Sequence, residues 1–265
     1  MNISKMTAQD HSLWHVLVAV AVCLVTVSTG VLDTVTTELG YSHYAEKPVP
    51  GLPGFLSMPC NSLINLGYII LGIYWLAQDD KDIGIQSPNG RYLKNVFSWM
   101  AIVYGPVQWA RIWTQTHWAA VLDQWFTMPI FAWAIIWGNS ILNNWDRQHF
   151  IAVEFLSLSS YFLSTIHPQG FEVALVIHIL WAFTSGLRLQ RKYGDATTRM
   201  YLVLASISCL GFVNLKLLDH WLAQYFVFQR LTGHFWSKIC DVLQFHYAFC
   251  FLAYLDCYRP TKMKK

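Results

Sequence analysis

Long apolar runs separated by short polar segments make up most of this 265-residue chain. An α-helix needs about 20 predominantly apolar residues to cross a bilayer, and it satisfies its backbone hydrogen bonds within itself. The predicted spans, in chain order, are 12–34, 55–77, 93–113, 120–140, 149–166, 171–188, 199–219 and 235–256. The run at 149–166 is short and contains Glu154. The pattern predicts an all-α, polytopic transmembrane helical bundle of about eight spans.

The predicted organisation is a single multi-pass membrane domain over residues 1–265. Its parts are an extra N-terminal helix at about 12–34, a seven-helix core at about 55–256 and a basic cytosolic tail at 257–265. The first run has a second interpretation as a cleaved signal peptide, because Ser28-Thr29-Gly30 is a small-x-small triplet. The segment before the run has one Lys offset by one Asp, which favours a retained helix.

The composition agrees with a membrane protein. Hydrophobic residues make up 55% of the chain, charged residues 12%, and the mean hydropathy is +0.35. Soluble domains have roughly 25% charged residues, so the lipid bilayer is the first predicted partner. The formal net charge of +3 is small and its residues are scattered, which argues against nucleic acid as a partner.

The distribution of Lys and Arg between loops predicts the orientation, since positive residues accumulate on the cytosolic side. Thirteen of the 18 fall on the side of the two termini: Lys5, Lys81, Arg91, Lys94, Arg147, Arg188, Arg191, Lys192, Arg199, Arg259, Lys262, Lys264 and Lys265. The C-terminus is therefore predicted to be cytosolic, whether or not the first run is cleaved.

Polar residues inside the predicted spans gather near the opposite, predicted lumenal, side. Buried ionisable residues in a membrane are costly, so each one is a candidate functional residue. The predicted polar cluster consists of Asn61, Ser62, Asn65, Arg111, Asp123, Lys216, Asp219, His220, His234, Lys238 and Asp241. The stretch 61–72 also predicts a tight helix contact through small and polar residues.

Helical spacing gives this cluster a structural interpretation. His234, Lys238 and Asp241 would share one helix face at i, i+4 and i+7. Lys216, Asp219 and His220 would form a second stripe, and each stripe has a Lys three residues before an Asp. Arg111 and Asp123 could pair across the turn at 114–119. The favoured hypothesis is that these charges neutralise one another and hold the bundle together.

A metal site is the alternative interpretation. His234, His220 and the candidate ligands Asp123, Asp241 and His246 are of the types that bind zinc. However, Asp241 and His246 are five residues apart and would lie about 140° apart on a helix. The chain contains no HExxH sequence and no phosphate-binding glycine motif. No cofactor is therefore predicted, and zinc belongs only to this alternative.

At these residues the chain resembles the transmembrane protein 187 family. The stretches that carry the resemblance are GYSHYAEKPVPGLPGFLSMPCNSLIN, RYLKNVF, YGPVQWARIWTQ, VLDQWFTMPIFAW, HPQGFEVAL, SCLGF with LKLLDH, and LTGHFWSKICDVLQFHYAF. They are spread over most of the chain, from about 40 to 249. The resemblance implies a multi-pass membrane protein without an established activity, located in the Golgi or trans-Golgi network.

The chain also has a fainter resemblance to the seven-helix superfamily of alkaline ceramidases and adiponectin-type receptors. By this resemblance, Asp123 and His246 take the places of two site residues of that group. Pro106, Ala110 and Val242 depart from it where a Ser and two His stand in the group's pattern. The resemblance implies a related fold with a zinc site that is lost or rebuilt around Asp123, Asp241 and His246.

The leading prediction is a non-catalytic, multi-pass integral membrane protein of the endomembrane system. Its lumenal-side polar cluster would hold the bundle or bind a lipid ligand or a membrane protein partner. The alternative is a metal-dependent hydrolase of lipid amides with a rebuilt site. A third hypothesis is transport of a small solute or a proton, for which the chain lacks a clear internal repeat.

Overall fold

The computed structural model describes residues 8–78, 85 and 87–262, and within this part of the chain there is no β-strand. The helices are α1 (Ala8–Ser28), α2 (Pro59–Leu63), α3 (Leu66–Ala77), α4 (Pro88–Thr114), α5 (His117–Asn143), α6 (Arg147–Ser160), α7 (Leu163–Ile166), α8 (Gly170–Tyr193), α9 (Ala196–Leu217), α10 (Asp219–Leu222) and α11 (Gly233–Lys262). Lys5, Lys81, Lys264 and Lys265 of the charge pattern lie outside the described residues.

Among the described residues, six segments are long and apolar enough to cross a membrane: His11–Ser28, Pro59–Ala77, His117–Asn143, Arg147–Ile166, Gly170–Tyr193 and Ala196–Leu217. The predicted all-α, multi-pass fold is therefore confirmed. The predicted spans 93–113 and 235–256 correspond to α4 and α11, which have 27 and 30 residues. Both helices are long enough to span but are more polar, because they carry several buried polar residues.

Two predicted spans are interrupted in the structure. The run at 55–77 becomes the short α2 and the longer α3, with a turn at Ile64 and Asn65 between them. The run at 149–166 becomes α6 and α7. The hydrophobic pattern could not show these breaks, because the sequence stays mostly apolar across them. Local backbone hydrogen bonds form at the breaks instead of regular helical ones.

Helix α5 forms the centre of the bundle and packs against α4, α6, α8 and α11. Trp133 and Trp137 of α5 are completely or almost completely buried, and the indole of Trp133 donates to the carbonyl oxygen of Leu93 at 2.8 Å. Phe249 of α11 stacks on Phe97 of α4 with ring centroids 4.2 Å apart. The core thus joins α4, α5 and α11 through aromatic contacts.

Helices α3 and α4 approach each other closely at two glycines. A Cβ on Gly72 would lie 2.5 Å from the carbonyl oxygen of Ser98, and one on Gly105 would lie 2.7 Å from that of Asn65. Both distances are too short for a real side chain. Small residues at such positions let membrane helices pack backbone against backbone. This contact holds the polar residues of α2 and α3 against α4.

The segment between α1 and α2, residues 29–58, folds back over one end of the bundle, and we call it the cap. It contains two short 3₁₀ helices, Tyr41–His43 and Gly54–Leu56. Its backbone is bonded to the bundle at several points: the carbonyl oxygen of Val35 to His117 at 2.7 Å, and that of Phe55 to Trp109 at 2.6 Å. The cap is therefore a fixed part of the fold.

Candidate functional site

The polar residues singled out from the sequence lie at the cap end, where α2 and α11 begin and α4 and α9 end. We call this set, without His220 and together with Gln108, the polar layer. Its buried members are Asn61, Ser62, Asn65, Gln108, Arg111, Asp123, Asp219, His234, Lys238 and Asp241. Lys216 is half-buried beside them, near enough to Asp123 and Asp241 for electrostatic attraction.

His220 does not join this layer, because its side chain is exposed. The predicted stripe of Lys216, Asp219 and His220 assumed one continuous helix. Instead α9 ends at Leu217 and α10 begins at Asp219, with Leu218 outside helical geometry at φ −93 and ψ 5. The change of direction keeps Asp219 buried and turns His220 outward.

Arg111 and Asp123 form a buried ion pair between the end of α4 and the start of α5. The distance from Arg111 Nη1 to Asp123 Oδ2 is 2.7 Å, and the two residues are only 6% and 8% exposed. The two helices are joined by a tight turn in which Gln115 adopts a left-handed conformation with φ 52. Arg111 Nη2 also donates to the carbonyl oxygen of Glu38 at 3.1 Å, so the pair is connected to the cap.

Lys238 and Asp241 do not pair with each other, contrary to what their spacing suggested. Lys238 Nζ donates to Gln108 Oε1 of α4 and lies 5.9 Å and 5.7 Å from the ring centroids of Tyr68 and Tyr104. Asp241 Oδ2 instead accepts from the hydroxyl of Tyr68 at 2.6 Å. Lys238 and Asp241 are thus bound to two different helices, α4 and α3.

Two carboxylates bind the ends of helices to the cap. Asp219 Oδ1 accepts from the backbone N–H of His234 at the start of α11, and its Oδ2 accepts from the N–H of Ala45 in the cap. Glu46 of the cap accepts from the N–H groups of Cys60 and Asn61 at the start of α2, at 3.0 Å and 2.8 Å. Both arrangements satisfy N–H groups that a helix leaves free at its N-terminus.

The cap itself contains a short contact between His43 Nδ1 and Glu38 Oε2, at 2.5 Å. Burial lowers the pKa of His43 from its ordinary value to about 4, with Arg111 and Lys216 contributing in the same direction. The hydrogen bond from His43 lowers the pKa of Glu38. Burial raises the pKa of Glu46 above its ordinary range. The cap therefore contains two groups with a lowered pKa, His43 and Glu38, and one with a raised pKa, Glu46.

Several atoms of the polar layer have no hydrogen-bond partner within the described part of the chain. They are both amide atoms of Asn61, the hydroxyl of Ser62, the carbonyl oxygen Oδ1 of Asn65 and the amide nitrogen Nε2 of Gln108. Buried polar atoms of this kind usually bind ordered water or a polar ligand. The layer therefore has hydrogen-bonding capacity beyond its internal contacts.

Each of the three candidate metal ligands contacts a different partner. Asp123 binds Arg111, Asp241 binds Tyr68, and His246 lies beside the rings of Tyr74 and Trp75 at 6.2 Å and 6.0 Å. Among the residues that the structure describes, no group of three His, Cys, Asp or Glu side chains is arranged to hold a metal ion. The arrangement does not fit the zinc site of the hydrolase hypothesis.

A second polar cluster, which sequence reasoning missed, lies at the end of the bundle opposite the cap. His15 of α1 binds the hydroxyl of Tyr92 at 2.7 Å through Nδ1 and the carboxylate of Glu154 at 2.6 Å through Nε2. We call these three residues the His15 cluster. It joins α1 to α4 and α6 beside Trp133. The sequence feature that could have indicated this cluster was Glu154, a charged residue inside a predicted span.

Gln108, Tyr68, Tyr104 and Glu46 were also absent from the predicted set. The signal for Gln108 was an uncharged polar residue inside a long apolar run. Tyr104, whose hydroxyl is 2.9 Å from that of Thr127, gave no such signal. Glu46 lies in a loop where a carboxylate is ordinarily solvated, and only the folding of the cap buries it.

Comparisons with known proteins give a consistent result. The family model of the TMEM187 protein family matches residues 12–253. Human transmembrane protein 187 is 54% identical over 242 residues, covering 91% of each chain. The protein of the same name from Bos taurus is 53% identical over 246 residues, covering 92% of this chain and 96% of the other. No solved structure matches the chain.

Proposed function

The chain belongs to the TMEM187 protein family, and from that premise we propose that it is a non-catalytic integral membrane protein of the endomembrane system. The polar layer lies on the lumenal side and locks the cap onto the bundle. The cap thereby presents a fixed lumenal surface to a membrane protein partner or a lipid. The Golgi or trans-Golgi network is the proposed location, on the basis of the resemblance described above.

One observation carries the proposal: the buried carboxylate, guanidinium and ammonium groups of the layer are each bonded to another helix or to the cap. Arg111 shows this most clearly, since it binds Asp123 with one nitrogen and the backbone of the cap with the other. Asp219 likewise binds the cap and the start of α11 together. Catalytic sites instead direct several ionisable groups toward one open position.

The lumenal placement is supported by the charges at the opposite end of the bundle. Contacts bring together the starts of α1, α4 and α6 through the His15 cluster, and the ends of α5 and α8 through Lys192 and Leu142. Within the described part of the chain, nine of the 14 Lys and Arg residues lie in or beside these ends and the end of α11, and five lie at the cap end. A positive excess is typical of the cytosolic side, which supports a lumenal position for the cap.

The proposal is tested by thermolysin digestion of membrane vesicles that contain the full chain. Thermolysin cleaves before bulky apolar residues, and Leu52 and Phe55 of the cap are 41% and 40% exposed. We expect no cleavage there in sealed vesicles and slow cleavage in permeabilised ones. Arg111→Met should raise the rate in permeabilised vesicles by about tenfold or more, because the cap loses its anchor and Asp123 loses its partner.

Arg188→Met is the matched control, since Arg188 is exposed at the opposite end of the bundle. It should digest like the wild type. Cleavage of the cap in sealed vesicles would overturn the lumenal placement. An unchanged rate in Arg111→Met, with the protein monodisperse on size exclusion, would overturn the locking role. Fluorescence co-localisation with Golgi markers tests the proposed location separately.

A further inference from the structure

A lateral cavity of about 370 Å³ lies between α8 and α9. These helices follow each other in the chain, but α8 packs mainly on α5 and α9 mainly on α11. A gap remains between them, with Phe131, Ala182, Ala205, Gln244 and Phe251 among its lining residues. Cavities of about 300–1,000 Å³ are typical of small-molecule sites.

The cavity opens toward the lipid and not toward water. Leu180, Phe183 and Leu210 belong to its lining and are 57%, 42% and 63% exposed, so they form the rim of the opening. The lining is almost entirely hydrocarbon. An apolar cavity of this kind does not hold water, and a lipid chain can enter it from the side.

One polar atom distinguishes this cavity from a simple packing gap. Gln244 lines it, is only 8% exposed, and within the described part of the chain its Oε1 has no hydrogen-bond donor. An unsatisfied amide oxygen in a low-dielectric interior is unfavourable, so an occupant that donates a hydrogen bond is preferred. The nearby hydroxyl of Ser206 is already bound to the carbonyl oxygen of Leu202 at 2.7 Å.

The depth of Gln244 limits the charge of the occupant. Gln244 comes eleven residues after Gly233, the first residue of α11, which is about 16 Å along the helix axis. That position is close to the middle of a bilayer with a hydrocarbon thickness of about 30 Å. A charged group at this depth is strongly disfavoured, whereas a hydroxyl that finds an acceptor is tolerated.

We propose that the cavity between α8 and α9 binds one neutral, single-chain lipid whose end carries a hydroxyl, such as a long-chain alcohol. The alkyl chain fills the space lined by α5, α8, α9 and α11, and the hydroxyl donates to Gln244 Oε1. This site is separate from the polar layer and does not depend on its role.

The experiment uses the full chain in nanodiscs and a long-chain alcohol that carries a photoactivatable diazirine on its chain. A diazirine alkane of equal length is the matched probe without the hydroxyl. Labelled peptides are identified by mass spectrometry. We expect the alcohol to label residues of α8, α9 and α11 that line the cavity at least fivefold more than the alkane does.

Two variants test the cavity and the acceptor separately. Ala205→Phe fills the space and should abolish labelling by both probes, whereas Ile207→Phe, on the lipid-facing side of α9 at 60% exposure, should not. Gln244→Leu keeps the volume and should make the two probes label equally. Each protein is checked for monodispersity, and Gln244→Leu remains decisive if Ala205→Phe does not fold.

Three outcomes would overturn the proposal. The first is equal labelling by alcohol and alkane in the wild type, which would indicate ordinary contact with bilayer chains. The second is a preference for the alcohol that survives in Gln244→Leu. The third is labelling of the cavity that persists in a folded Ala205→Phe protein.

Discussion

The polar layer and the His15 cluster both place charged groups inside the membrane bundle, but they are built in opposite ways. The layer distributes its charges over many partners, including backbone groups of the cap, and Arg111 and Asp123 are 6% and 8% exposed. The His15 cluster consists of two hydrogen bonds on one ring. The side chains of His15 and Glu154 are 16% and 26% exposed.

The difference shows what each cluster contributes to the fold. Deep burial makes the loss of one partner expensive, because the remaining charge has neither water nor a counter-ion. Partial exposure allows water to replace a lost partner at a smaller cost. We therefore expect the layer to determine whether the bundle folds. The His15 cluster should mainly determine how firmly α1 is held.

The largest effect is expected from breaking the Arg111–Asp123 pair on one side only. Asp123→Leu should lower the free energy of unfolding by about 3–5 kcal/mol, because it leaves the guanidinium buried and unpaired. Adding Arg111→Leu should restore part of that loss. The recovery is incomplete, since the carbonyl oxygen of Glu38 then loses its donor as well. Thermal unfolding in detergent gives the three values for a double-mutant cycle.

Additive losses in the cycle would contradict this prediction, because independent sites show no coupling. Glu154→Leu provides the comparison from the other region. It removes the carboxylate partner of a more exposed histidine, and its cost should be no more than about half that of Asp123→Leu.

The hydrophobic pattern was sufficient to predict the membrane fold, as α4 and α11 illustrate. Both helices contain several buried polar residues, yet their long apolar runs between polar ends still identified them. The charges of the layer were visible for the same reason, since Asp123, Lys238 and Asp241 interrupt apolar runs. A charged residue that interrupts an apolar run can therefore be identified from the sequence alone.

The partners of those charges could not be predicted, because they depend on which helix faces which. Lys238 and Asp241 have a spacing that permits a local pair, but Gln108 and Tyr68 on other helices bind them instead. His15 and Glu154 are 139 residues apart in the chain. His220 was misplaced because one residue, Leu218, ends the helical stripe. Such details arise from tertiary packing.

A matched pair of hydroxyl deletions sharpens the comparison at an intermediate size of effect. Tyr68→Phe removes the donor to the buried carboxylate of Asp241 and should cost about 1–3 kcal/mol in free energy of unfolding. Tyr92→Phe removes the hydroxyl bound to His15 and should cost about 0.5–1.5 kcal/mol. Both proteins are compared with the wild type by thermal unfolding in the same detergent. An equal or larger loss in Tyr92→Phe would mean that the two clusters do not differ as proposed.

The smallest expected effect concerns the response of the cap to acid. The pKa of His43 in the folded protein is about 4, below its ordinary value of 6.5. The unfolded chain therefore binds more protons between these two values, and the stabilising contribution of neutral His43 is complete above about pH 6.5 and is lost as the pH falls toward 4. Glu38 is held ionised by the same contact, whereas the raised pKa of Glu46 acts in the opposite direction.

Substitution of His43 separates its contribution to the pH dependence of stability from those of Glu38 and Glu46. His43→Gln should flatten the decrease in unfolding temperature between pH 6.5 and pH 4, while the exposed His167→Gln should leave it unchanged. The difference should be on the order of 1 kcal/mol, because burial is the main cause of the lowered pKa and water still reaches part of the His43 side chain, which is 14% exposed. Equal slopes in the wild type and His43→Gln would show that the acid response of the cap end comes from the carboxylates alone.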